Sequence, residues 1–266
     1  VDPDSGQTLM GGMGELHLEI IVDRMDREAK VKANVGKPQV AYRETIGRKL
    51  NVPIEYDREI GGKRQYAKLV LDMVPRDRGI GNEFVNLLPA PVARTKGQST
   101  QPPKLLPEMI AAVREGAMDA LTRGHLLGYP VVDVEIRLLD GAYVEGDSTP
   151  VSFRAATTMG LMEAFERANP TLLEPIMKVE VEVPEDFTGH VVSDLTGNRR
   201  GRILGMEPRS GVQVVTSEVP LAELVGYATA LRSGTQGRAS PSMHFSQYAE
   251  VPSDLQATIV SRARGY

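Results

Sequence analysis

The chain has 266 residues, with 31 lysines and arginines against 35 aspartates and glutamates, a formal net charge of −4 and no cysteine. That length holds two domains with cores of their own plus a remnant, and the missing cysteine excludes a disulfide framework or a thiolate metal site and fits a reducing compartment. No apolar run approaches the ~18 residues of a membrane span and the amino end has no signal pattern, so the expectation is a soluble protein that does not engage membranes. A cytoplasmic location and a monomeric state are expected alongside.

In chain order, turn residues Val1 to Gly6 precede a helix over Glu15 to Ala29, with Leu18, Ile21 and Met25 on one face, and a strand over Lys30 to Val35. One helix and one strand cannot bury their apolar sides alone, so residues 1–37 read as the tail of a domain that starts upstream. Strands are expected at Gln39 to Ile46, Val52 to Ile60, Tyr66 to Val74 and Glu83 to Leu88. Gly61 and Gly62 mark the reversal between the second and third, so Lys63, Arg64 and Gln65 project from a hairpin end. The polar, proline-rich stretch Pro89 to Lys104 reads as a mobile loop. A helix over Leu105 to Arg123 buries Leu106, Met109, Ile110, Val113, Ala117 and Leu121 at helical spacing. Strand Val131 to Leu139 alternates cleanly and ends in a second exposed turn, Asp140 to Ser148, before a helix over Ser152 to Ala168.

Met177 to Val251 reads as one βαββαβ unit. Lys178 to Val183 alternates strictly, with Val179, Val181 and Val183 on one face, as a half-buried strand does. Phe187, Val191 and Leu195 give a helix that ends at the basic turn Asn198-Arg199-Arg200-Gly201. Strands Arg202 to Glu207 and Val212 to Val219 form a hairpin. A second helix behind Pro220 carries Leu221, Leu224, Val225, Ala228 and Leu231 as its buried stripe, and a last strand holds Met243, Phe245 and Tyr248. A helix over Pro252 to Arg264 follows, with Leu255 and Ile259 on one side. The fold class is α+β: an arm domain with mixed β-sheet and helices, then a ferredoxin-like βαββαβ sandwich, preceded by the partial remnant.

Catalytic patterns are missing. No Gly-x-x-x-x-Gly-Lys-Ser/Thr loop occurs, and Gly61-Gly62-Lys63 turns a hairpin with no helix start to receive phosphate. His17, His125, His190 and His244 have no metal-ligand spacing; His17 reads as a capping or packing residue. No nucleophile elbow is present. Charge is uneven, however. Lys63, Arg64 and Lys68 sit together without an acid, as do Arg94, Lys96 and Lys104, while Arg199, Arg200, Arg202 and Arg209 are opposed locally only by Glu207. Basic turns on an acidic body suit either a partner that is RNA at a few points or plain solvation.

Four ordered motifs narrow the field. They are Gly12-Met13-Gly14-Glu15-Leu16-His17-Leu18-Glu19; Val35-Gly36-Lys37-Pro38-Gln39-Val40-Ala41-Tyr42-Arg43-Glu44-Thr45; Leu127-Gly128-Tyr129-Pro130-Val131-Val132-Asp133; and, in the last unit, Leu204-Gly205-Met206-Glu207-Pro208-Arg209 with Gly226-Tyr227-Ala228-Thr229-Ala230-Leu231-Arg232-Ser233. Over nearly its whole length the chain resembles the carboxyl-terminal part of bacterial elongation factor G or a divergent paralogue: the end of the third domain (1–37), the fourth (38–172, completed by the helix 252–266) and the fifth (173–251).

The resemblance implies a ribosome-binding portion of a translational GTPase, acting in translocation of tRNA and mRNA. GTP and magnesium would be held in an N-terminal part, with no cofactor, metal or catalytic group on this chain. It implies that the arm ends, Gly61, Gly62, Lys63, Arg64, Gln65, Tyr66 and Lys68 with Gly141, Tyr143, Val144, Asp147 and Ser148, meet rRNA, tRNA and mRNA at the decoding site. Arg199, Arg200, Arg202, Arg209, Arg232 and Arg238 would face the large subunit's factor-binding site, or else pair with Glu207, Glu218 or Glu223. Free cations on stiff hairpin ends are central to this expectation; Tyr66 either stacks on a base or belongs to the core.

Departures from the family pattern leave a second job open. Val144 stands where the family's second tip commonly has histidine; Ala67 and Lys68 replace a glycine and a histidine; the 89–104 loop and the Thr196-Gly197-Asn198 turn are longer than usual. Ribosome recycling or protection is therefore the alternative to translocation, and a ferredoxin-like small-ligand sensor is a third reading from another class.

Overall fold

A computed structural model describes residues 15–33, 40–89 and 104–265, with Thr8, Met10 and Val35. Val1 to Gly6, Gly12 to Gly14, the side chain of His17, residues 36–39, and Arg94, Lys96 and the rest of the stretch 90–103 lie outside the described residues. In chain order the elements are α1 (Glu15–Arg27), β1 (Arg43–Ile46), β2 (Leu50–Ile60), β3 (Lys63–Pro75), β4 (Glu83–Asn86), α2 (Pro107–Leu121), β5 (Val134–Ala142) and α3 (Pro150–Arg167). Then come β6 (Pro170–Val183), α4 (Glu185–Ser193), β7 (Arg202–Arg209), β8 (Val212–Pro220), α5 (Tyr227–Gly234), β9 (Ser240–Glu250) and α6 (Ser253–Arg264). The class is α+β. Among the described residues no helix is long and apolar enough to cross a membrane.

The chain divides into two compact units, one of residues 43–173 with 250–266, the other of residues 1–42 with 174–249. In the first, the arm, β2 and β3 form a long antiparallel hairpin in register from Leu50↔Met73 to Ile60↔Lys63. Its two-residue turn needs left-handed backbone at both positions, and Gly61 and Gly62 supply it at φ 61° and 75°. β5 adds antiparallel to β3, and β4 runs parallel to β5, giving the order β2-β3-β5-β4. Alternation sends Val52, Ile54, Ala67, Leu69, Leu71, Met73, Ile136 and Leu138 to one face. There α2 and α3 cover them with Met109, Val113, Ala117, Phe153, Leu161 and Phe165. Each of these side chains other than the two alanines contributes about 1.5–3 kcal/mol by leaving water. The helix α6 belongs to this unit: Gln256 Oε1 accepts the Leu172 N–H at 2.7 Å, and Arg264 donates to the carbonyls of His125 and Leu126.

In the other unit the strand order is β9-β6-β8-β7, with β6 and β8 in register from Ile176↔Pro220 to Val183↔Gln213. Val179, Val181 and Val183 are buried with Val215 and Val219 against Val191, Leu195, Leu224, Tyr227 and Leu231.

The structure changes four local expectations. The strand over Lys30 to Val35 is absent among the described residues 30–33 and 35, because a strand needs a ladder partner and none of the described strands pairs with it. Lys63, Arg64 and Gln65 are the first rungs of β3 rather than loop residues. The stripe behind Pro220 is not one helix: a 3-10 turn, Leu221–Leu224, breaks at Gly226, whose φ is 74°, and α5 starts afresh at Tyr227. Val225 is consequently exposed, and Tyr227 takes the buried place. Finally, the long Thr196-Gly197-Asn198 turn is absorbed as a π-helical turn, Asp194–Asn198, at the end of α4, an insertion device of known kind.

Candidate nucleic-acid interface

The two arm ends that the sequence places eighty residues apart form one structure. Tyr66 N–H donates to the Asp147 carbonyl at 3.0 Å, and the Ser148 hydroxyl donates back to the Tyr66 carbonyl at 2.7 Å. Thr149 Oγ1 meets Gln65 Oε1 at 3.0 Å, and the Val144 N–H reaches Ser148 Oγ at 2.9 Å. Thr149 is also the N-cap of α3. Its hydroxyl accepts from Ser152 N–H while Ser152 Oγ accepts from Thr149 N–H, with Pro150 following. This reciprocal cap fixes where the second end stops and the helix begins.

The hairpin register sorts the cations by face. Ile60 pairs with Lys63 and Glu59 with Arg64, so Arg64, Tyr66 and Lys68 share a face with Glu55, Asp57 and Glu59. Arg64 grips both oxygens of Asp57 at 2.8 and 2.6 Å and reaches Asp147 at 3.3 Å. Its guanidinium carbon sits 5.3 Å from the Tyr66 ring centre. The Arg64 hydrogen bond holds the Asp57 carboxyl below the usual carboxylate range. Lys68 lies 3.4 Å from Glu55. Tyr66 is neither core nor a free stacking platform, because its half-buried ring is a shelf for Arg64. Lys63 points to the opposite face. It is exposed, has no ion pair among the described residues, and lines a groove of about 390 Å³ with Tyr56, Ile60, Gln65, Thr149 and Val151. Gly141 and Tyr143 are half-buried, whereas Val144 is 39% exposed on the second end. Of the three cations expected to be free at the tip, Lys63, Arg64 and Lys68, only Lys63 is without an ion pair among the described residues.

The arginines of the other unit are opposed by far more than Glu207. Arg199 donates to Asp194 at 2.7 Å and to the Glu223 carbonyl at 2.6 Å, over the Tyr227 ring. Arg200 makes a two-pronged pair with Glu174, 2.8 Å on each prong, and a third bond to Glu223. Arg202 pairs with Glu218 and Arg209 with Glu182; Arg238 lies over Phe187, and Arg232 is also engaged. Arg199, 13% exposed, is a brace of the π-turn. Arg202 and Arg209 are 73% and 68% exposed; the Arg209–Glu182 pair, open on both sides, is one that a phosphate can displace at small cost, whereas the Glu218 partner of Arg202 is itself only 14% exposed. The local sequence pattern does not reveal Asp194, Glu174 and Glu182 as partners, and Asp57 was not expected either. For Asp57 a signal exists: a two-residue turn at Gly61-Gly62 fixes the register and puts it diagonal to Arg64. Among the described residues no group of three histidines, aspartates or glutamates is placed to hold a metal.

Residues 1–37, 38–169 and 171–259 match in that order the families described as Elongation Factor G, domain III; Elongation factor G, domain IV; and Elongation factor G C-terminus. A crystal structure of a protein from Thermus thermophilus is similar across 100% of this chain, at 34% identity and a TM-score of 0.83. The chain spans 38% of the length of that protein. With both arm and sandwich matched in order, the chain belongs to the elongation factor G family of translation factors, over that family's third, fourth and carboxyl-terminal domains.

Proposed function

We propose that this chain is the ribosome-contacting portion of a cytoplasmic translational GTPase, working as a wedge whose arm tip meets RNA during translocation of tRNA and mRNA. The observation that carries this reading is the uncompensated Lys63 beside the Gly61-Gly62 turn, at the far end of a stiff hairpin in a matched fourth domain. Glycines let phosphate approach the backbone, and a lone ammonium offers it a charge-assisted contact. GTP and magnesium would be held outside the matched domains, by a part this chain does not include. Arg202, Arg209 and Arg232 supply further cationic contacts in the sandwich, toward the large subunit.

Binding of the chain to ribosomes across a salt series tests this. Lys63→Ala is expected to weaken binding and reduce the slope of log affinity against log salt by about 1. An unchanged slope would remove the tip from the interface.

Val144 favours a second job for the same partner. An aliphatic side chain at the second end offers RNA no hydrogen bond, which suits recycling or protection of ribosomes better than a step needing a donor there. Val144→His in the GTPase-bearing parent, assayed for mRNA movement, separates the two. A gain of movement favours recycling or protection for the natural chain, and no change favours translocation.

A further inference from the structure

We propose that Arg64 is a positioning residue, an internal brace that locks the second arm end onto the β2–β3 hairpin, leaving Lys63 as the tip's RNA-facing cation. The division of labour rests on the RNA-contact reading above, but the brace does not.

All three guanidinium nitrogens are committed. Nε and one terminal nitrogen take the two Asp57 oxygens in parallel, and the other reaches Asp147, a residue of the second end. Only a planar fork can do this, since an ammonium is a single point of charge. The Tyr66 ring adds a contact to the same guanidinium, 5.3 Å from ring centre to guanidinium carbon. Around the guanidinium, the backbone bond from Tyr66 N–H to the Asp147 carbonyl and the bond from the Ser148 hydroxyl to the Tyr66 carbonyl close the same junction. The Arg64 side chain is about half exposed, at 48%, so Coulomb attraction alone would hold it weakly. Its grip comes from several anchors sharing one rigid group. A phosphate would have to displace two carboxylates to take Arg64, whereas Lys63, on the opposite face, gives up none.

Two measurements on the full 266-residue chain test the proposal. Amide hydrogen exchange of free protein reads the junction directly, because the Tyr66 and Val144 amides are bonded across or within it. Arg64→Ala and Asp147→Asn should each speed exchange at Tyr66 and Val144 by about tenfold, Arg64→Lys should not restore protection, and Lys63→Ala should leave it unchanged. Ribosome binding across a salt series is the second readout. Arg64→Ala should weaken binding with its salt slope retained, while Lys63→Ala should lower the slope by about 1. If Arg64→Ala lowers the slope as Lys63→Ala does, Arg64 touches phosphate and the proposal fails. It fails equally if exchange at Tyr66 and Val144 stays unchanged. Should the unaltered chain not bind ribosomes at all, the functional reading falls, while the exchange data still decide the brace.

Discussion

The Glu44 carboxylate accepts the Tyr129 backbone N–H at 3.1 Å, joining two segments that are 85 residues apart in the chain. The same carboxylate takes the Leu126 and Leu127 N–H groups at 2.8 and 2.9 Å, and Glu44 is only 1% exposed. Its own backbone bonds Pro130 and Val132. Two of the family-like motifs are therefore halves of one clamp: a strand residue supplies the acceptors for a loop that has no ladder of its own.

Glu44→Gln turns one acceptor into a donor facing N–H groups. It should cost about 1–3 kcal/mol, and Glu44→Ala at least as much. Urea unfolding followed by methyl resonances of the arm unit measures this. A change within about 0.5 kcal/mol, ordinary for a surface site, would show that the loop stands without the clamp.

Arg200 offers a sharper case in the other unit. Glu174 is 2% exposed, and its two oxygens are met by the Arg200 fork. Arg200→Ala leaves that carboxylate buried without its charge partner and should cost on the order of 3 kcal/mol. Arg200→Lys should recover little, since one ammonium cannot serve both oxygens. The double variant with Glu174→Gln should lose clearly less than the sum of the losses of Arg200→Ala and Glu174→Gln measured singly; a loss equal to that sum would mean that the two residues do not act as a pair.

How far these contacts are legible in the sequence follows from their range. Period-two and helical patterns mark β6, α2 and the hairpins, because burial of one face imposes them locally. The glycine pair marks the turn. The partners of Arg200 and Arg209 are not legible: Glu174 and Glu182, 26 and 27 residues away, are brought near by sheet register, which no local window contains. Asp194 lies only five residues before Arg199, but the π-turn that brings the two together carries no pattern of its own. The break at Gly226 is written in the sequence as a glycine inside an apolar stripe, yet the spacing runs on through it and points to Val225 and Ala228 rather than to Tyr227. Glu44 carries no periodic signal, since its role lies in satisfying a distant backbone.

Acid should weaken the arm through Asp72. Burial pushes its carboxyl up, but Lys49 and Asn51, each at 2.7 Å, and the more distant Arg137 outweigh that and hold it below the ordinary value of 3.8. A carboxyl whose folded pKa is depressed gives stability that is complete above its unfolded pKa and disappears as pH falls through the folded one. The stability gap between the natural chain and Asp72→Asn should thus be about 1.5 kcal/mol or more near neutral pH, a charged hydrogen bond's share, and should close below pH of about 4. Urea midpoints at neutral and acid pH give the gap. A gap that is constant with pH would mean that the charge of Asp72 contributes nothing.

Tyr227 should behave in the opposite sense to most buried residues. Its ring is 1% exposed under the Arg199 guanidinium, 4.7 Å from the ring centre, while its hydroxyl finds no hydrogen-bond partner among the described residues. Burial, with Asp194 nearby, pushes the phenol well above its usual pKa, so it stays neutral. Tyr227→Phe keeps the ring and the face that Arg199 rests on and removes only a polar atom that is desolvated without return. The variant should match the natural chain or gain up to about 1 kcal/mol. Tyr227→Leu, which takes away the aromatic face, should lose stability and loosen the π-turn that Arg199 ties to Asp194. Thermal unfolding of both variants decides the matter: a Phe variant destabilised by more than about 1 kcal/mol would show that the hydroxyl is bonded after all.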